Sequence, residues 1–117
     1  MPSVELEVAG KRLLLEGERF TLGRGMDCDV MLKSTRVSRH HAILVFIAGR
    51  WLARDLDSAN GTFLNRHNLA ADDVHAGDVL KFGDGGPRVR IISLDPAPID
   101  PNLSIDVQGD TVDRELT

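Results

Sequence analysis

Nowhere does this chain sustain an apolar periodicity for three helical turns. Apolar residues come in short runs, alternating or continuous, punctuated by the turn signals Ala9-Gly10, Glu16-Gly17, Ala48-Gly49 and Asn60-Gly61. Side chains that alternate with period two put one face toward a core and the other toward solvent, which is strand behaviour. The pattern predicts strands over Val4–Val8, Arg12–Leu15, Arg19–Leu22, Val30–Leu32, Ala42–Ile47, Trp51–Asp55, Thr62–Leu64, Asp78–Phe82 and Arg88–Leu94. Many short strands at this spacing predict an all-β fold, a sandwich of two sheets. Asn60-Gly61 reads as a tight hairpin, because both residues tolerate positive φ.

Length and hydrophobic content fit one such domain: 117 residues with 42% hydrophobic can supply a core despite a single Trp, four Phe and no Tyr. After Leu94 the composition shifts. Asp95-Pro96-Ala97-Pro98 and Asp100-Pro101 remove backbone donors and disfavour helix before each proline. Residues 1–94 are therefore read as the domain, and 95–117 as an acidic, proline-containing, flexible tail. Charge follows the same division: residues 1–94 carry 13 Lys and Arg against 12 Asp and Glu, whereas 95–117 carry one Arg against six acids. A nearly neutral body lacks the broad positive field of nonspecific nucleic-acid binding, so no nucleic-acid partner is expected and any anion site must be local.

The N-terminal MPSVELEVAG has neither a basic n-region nor an apolar h-region, and the longest apolar run, Ala42 to Ala48, is far too short to span a bilayer. The lone cysteine, Cys28, allows no internal disulfide. These features are read as a cytoplasmic protein in a reducing compartment, with no membrane partner.

Three polar clusters lie between the apolar runs: Gly23-Arg24, then Ser38-Arg39-His40-His41, then Asn60-Gly61-Thr62-Phe63-Leu64-Asn65. Each alone has a plain structural reading. Gly23-Arg24-Gly25 lacks the lysine of a P-loop and the third glycine of a dinucleotide fingerprint. Ser38 stands in no nucleophile-elbow pattern, which argues against a serine hydrolase. His40 and His41, adjacent in an extended segment, point to opposite faces and should not share a metal, and no Cys cluster or HExxH spacing supplies other ligands. The reading is a non-enzyme with no cofactor and no metal.

In their order and spacing the clusters resemble the forkhead-associated (FHA) domain, a phospho-motif reader, from Phe20 through Leu94. The resemblance implies a sandwich of about eleven strands, peptide-binding loops at one end, and non-catalytic binding of phosphothreonine in Ser/Thr kinase signalling. The implied partner is a phosphothreonine-containing protein, a Ser/Thr kinase or its substrate.

A phosphothreonine carries nearly two negative charges, so its site needs fixed donors and positive charge. Arg24 offers a planar fork for two parallel charge-assisted bonds, Ser38 a hydroxyl donor, and Arg39 charge or main-chain donors. Asn60 matches the family position whose amide holds the peptide backbone. Arg36, two residues before Ser38, would share its face in an extended segment and is the candidate reader of an acidic side chain beyond the phosphothreonine. Gly23, His41, Gly61, Thr62 and Asn65 match supporting positions, with Gly23 permitting the backbone path that aims Arg24. Ala59 departs from the family's usual small hydroxyl residue and forfeits any side-chain hydrogen bond there. The alternative is a phosphate-independent interaction sandwich using an apolar patch or sheet edge.

Overall fold

In the computed structural model, which describes residues 1–96, eleven strands form two sheets and no helix is present among the described residues. They are β1 (Ser3–Val8), β2 (Lys11–Glu16), β3 (Arg19–Gly23), β4 (Val30–Met31), β5 (Ala42–Ile47), β6 (Arg50–Asp55), β7 (Thr62–Leu64), β8 (His67–Asn68), β9 (Ala71–Asp73), β10 (Val79–Phe82) and β11 (Arg88–Asp95). One sheet has the order β2-β1-β11-β10-β7-β8, the other β4-β3-β5-β6-β9.

The inward sides of six strands build one core: Val4 and Leu6 of β1, Phe20 and Leu22 of β3, Leu44 of β5, Trp51 and Ala53 of β6, Leu80 and Phe82 of β10, and Val89 and Ile91 of β11. Phe20 stacks on Trp51 with centroids 6.2 Å apart. Alternating burial along β10 and β11 is the period-two signal of the sequence carried into space.

Nine of the strands lie where the apolar pattern predicts them, and β8 and β9 do not. Both are short, polar and exposed throughout. Their pairing is decided by neighbours, β7 for one and β6 for the other, so no alternation announces them. The acidic residues of β9 also keep that sheet edge unattractive to another strand.

The expected hairpin at Asn60-Gly61 is corrected by the topology: β6 and β7 belong to different sheets, so these residues lie in a crossover and only Gly61 has positive φ (81°). The tight hairpin falls instead at Asn65-Arg66, both at positive φ (50° and 86°), between the paired Leu64 and His67. Arginine there is strained, and Asn65 stabilises the turn by accepting from Val79 N–H (2.9 Å) and donating to Asp78 (2.8 Å).

The last strand runs to Asp95, one residue past the boundary read from composition. The remainder of the acidic tail lies outside the described residues. No helix among those residues is long and apolar enough to cross a membrane.

Candidate phosphate-binding loops

Four connections meet at one end of the sandwich: β3–β4, β4–β5, β6–β7 and β10–β11. Their backbones are cross-linked. Arg24 N–H donates to Ser38 O (2.9 Å), Gly25 N–H to Arg39 O (3.0 Å), and Gly83 N–H to Gly61 O (2.9 Å). Gly23, at the end of β3, is buried, and a Cβ there would sit 2.2 Å from Arg39 O. The glycine is needed for close backbone approach, since its φ is not in the positive region.

Arg24 is exposed, and its Nε–H donates to Val37 O (3.0 Å). That bond fixes the stem and leaves the two terminal nitrogens as the fork. No carboxylate among the described residues forms a salt bridge with them. Ser38 Oγ accepts from Ala59 N–H (3.0 Å), so its own hydroxyl proton remains available to a ligand. This contact also shows what the backbone at Ala59 does in the absence of a side-chain hydroxyl. Arg39 projects an exposed side chain while its carbonyl is occupied by Gly25 N–H and Cys28 Sγ–H.

Asn60 donates its Nδ2–H to Arg36 O (2.9 Å), leaving Oδ1 and one amide proton for a peptide backbone. The premise for Arg36 fails in part. Residues 34–37 form a turn closed by Val37 N–H to Ser34 O (3.1 Å), so Arg36 does not share an extended face with Ser38. Its guanidinium donates to Asp84 O (2.8 Å) on the β10–β11 loop, placing positive charge at the rim beside Asn60.

Underneath lies His41, fully buried. Its Nδ1 accepts from Ser38 N–H (3.0 Å) and its Nε2–H donates to Gly61 O (2.8 Å), so the ring ties two loops together and its tautomer is set by its partners. Phe82 meets the ring edge-on at 5.1 Å. Buried Thr62 donates to Asp55 Oδ1 (2.6 Å), which also accepts from Ser58 Oγ (2.6 Å). Asn65 is not brought to this end. It braces the opposite end of β7, three residues beyond Thr62.

Asp55 is the member of the site that sequence reasoning missed. The signal was present as a strand-ending Asp with Ser58 three residues on, the local pattern in which a carboxylate accepts from a nearby backbone N–H; Ser58 N–H donates to it at 3.1 Å. Burial raises the Asp55 pKa, but the hydrogen bonds from Ser58 and Thr62 outweigh it and hold the group below its ordinary 3.8. Its stabilising effect is therefore complete above about pH 4 and is lost as pH falls from there through the lowered folded value. Thermal melts of wild type and Asp55→Asn across the acid range should show a steeper acid decline in wild type. Parallel curves would remove Asp55 from the account.

At the outer edge of the β3–β4 loop, Asp27 accepts from His40 Nε2 (2.8 Å), and that bond first, with backbone donation, holds its carboxyl below the ordinary value. Burial pushes the Cys28 thiol up, which is the opposite of an activated nucleophile. Open hollows lie over the outer faces of the two sheets, one of them reaching Asp55, Leu56 and Asp57 at the start of the β6–β7 connection, and neither is lined by Arg24, Ser38 or Asn60.

The FHA domain family model matches residues 20–83, the span that contains all four loops up to Gly83. The chain belongs to the FHA family. It is 36% identical over 74% of its length to an oxoglutarate dehydrogenase inhibitor of Corynebacterium glutamicum, covering 57% of that protein. It is 35% identical over 74% of its length to the glycogen accumulation regulator GarA of Mycolicibacterium smegmatis, covering 52% of it. The chain thus spans about half the length of these relatives. Among solved structures, an FHA domain studied for phosphothreonine-dependent interactions superposes with a TM-score of 0.70 at 29% identity, covering 77% of this chain and 95% of that one. FHA membership accounts for the sandwich of two sheets.

Proposed function

We propose that this FHA domain binds proteins through a phosphorylated threonine, as a non-catalytic reader in Ser/Thr kinase signalling in the cytoplasm. Its partner is a kinase or a kinase substrate bearing phosphothreonine. The observation that carries this reading is the disposition of Arg24: a guanidinium anchored by Nε to Val37 O, its terminal nitrogens unpaired among the described residues, on a loop whose backbone is bonded to Ser38, a residue whose hydroxyl already uses its acceptor side. Two fixed donors and one full positive charge at an exposed loop end suit a dianionic phosphate. Asn60 supplies the amide for the peptide backbone, and Arg36 and Arg39 add charge at the rim.

Isothermal titration with three matched peptides tests it. The phosphothreonine peptide should bind, the unmodified threonine peptide should not, and phosphoserine should bind more weakly by about 1 kcal/mol, the worth of one buried methyl-sized group. Equal affinity for plain threonine would overturn the reading in favour of a phosphate-independent surface; equal affinity for phosphoserine would remove only the burial of the threonine γ-methyl.

A further inference from the structure

Chain order pairs His40 with its neighbour His41, and the fold separates them: His41 is buried between Ser38 and Gly61, while His40 faces outward. The β3–β4 loop then brings two other ligand types to His40. Asp27 Oδ2 lies 2.8 Å from His40 Nε2, and one donor atom each from Asp27, Cys28 and His40 lies within 4.8 Å of the other two. We propose that Asp27, Cys28 and His40 form a transition-metal site, suited to zinc(II), that clamps the β3–β4 loop to the segment before β5.

The donor set is a thiolate, an imidazole and a carboxylate, each a zinc ligand with bonds of about 2.0–2.3 Å. Tetrahedral geometry at those bond lengths separates neighbouring donors by about 3.3–3.8 Å. The cluster therefore closes around an ion by a slight widening of the His40–Asp27 contact and an inward shift of about 1 Å elsewhere, within reach of exposed side chains. His40 and Asp27 have side chains 53% and 67% exposed, so an ion has a path in and solvent can take the fourth position.

Cys28 is already placed for this. Its N–H donates to Gly25 O (3.1 Å), and its Sγ–H points at Arg39 O (3.0 Å), the carbonyl of the peptide that leads into His40. Asp29, the next residue, accepts from Thr21 N–H (2.8 Å) and pins the far side of the loop. On coordination the thiol proton passes to solvent and the Sγ–H bond to Arg39 O is given up, while His40 takes the tautomer protonated at Nδ1, so that Nε2 and the Asp27 carboxylate exchange their hydrogen bond for two metal bonds. A sulfur ligand selects zinc or cobalt over magnesium and calcium, which prefer all-oxygen sites.

The competing explanation is that His40 and Asp27 form a surface brace only. Titration of the metal-free full chain with cobalt(II), followed by zinc(II), separates the two. Cys28 is the only cysteine, so a sulfur-to-cobalt charge-transfer band reports that residue alone. The expected result is a band saturating at one equivalent, absent in Cys28→Ser, and displaced by zinc. His40→Gln and Asp27→Asn should each weaken cobalt binding by about 10-fold or more, since loss even of a group supporting a ligand costs about 10–100-fold. Circular dichroism confirms that the variants are folded, and should Cys28→Ser fail to fold, the other two, at exposed positions, still decide. No charge-transfer band in folded wild type at excess cobalt would leave a brace only and overturn the site. A band unchanged in both His40→Gln and Asp27→Asn would equally overturn it, as binding to a cysteine alone.

Discussion

Replacing Arg24 with alanine is expected to lower affinity for a phosphothreonine peptide by about 100-fold or more, because two charge-assisted hydrogen bonds of about 1.5–3 kcal/mol each are lost together. Arg24→Lys keeps the charge and loses the fork, and should cost about 1–3 kcal/mol of binding. Both variants also lose the Nε–H bond to Val37 O, so melting temperatures should fall slightly, by the worth of one partly buried hydrogen bond, about 1 kcal/mol. Titration calorimetry and thermal melts on the same three proteins check both parts. Wild-type affinity in Arg24→Ala would sink the phosphate assignment, whereas wild-type affinity in Arg24→Lys alone would leave a site that reads charge without a fork.

His41 should show the opposite signature, with stability lost first and binding lost as a consequence. Leucine keeps much of the volume against Phe82 but orphans Ser38 N–H, which the ring now satisfies at 3.0 Å, and removes one of the two donors to Gly61 O, the ring at 2.8 Å, leaving it Gly83 N–H. An unsatisfied buried polar group costs about 1–3 kcal/mol and a lost hydrogen bond on a carbonyl that keeps another about 1 kcal/mol, so the two together should cost about 2–4 kcal/mol. In a domain of this size that is a fall of roughly 10–30 °C in melting temperature, at about 4–8 °C per kcal/mol. Peptide affinity should drop as well, since Ser38 and Gly61 belong to the two loops the ring holds together. A melting temperature within a few degrees of wild type would show that water replaces the imidazole, and that the loops are positioned by their backbone bonds alone.

The contrast between these residues shows how far the sequence could be read. Arg24 and Ser38 were legible because their chemistry suits a phosphate and their order matches a known family. Arg36 was legible as a cation near the site, but its reach was not. Its guanidinium is held by Asp84, 48 residues later, and the turn at 34–37 removes the extended geometry on which its role was argued. Asn60-Gly61 carried a strong turn signal and was read as a hairpin. Local φ preference marks a change of direction without saying which sheet the chain enters next, and the hairpin formed at Asn65-Arg66, where an unfavourable arginine is held by contacts to β10.

What the sequence determined by itself was the class of the fold and the chemical types at its loop end. Period-two burial, turn dipeptides and short apolar runs are properties of neighbouring residues, and they are written in neighbouring letters. The tertiary structure decided which polar atoms are already used. His41 is joined to Gly61 across 20 residues, Ser38 Oγ to Ala59 across 21, and Asp55 to Thr62 through a crossover between sheets. A hydrogen bond depends on a few tenths of an ångström and on direction. Those are set only when both sheets have packed, and it is then that Arg24 and Ser38 are left with donors to spare.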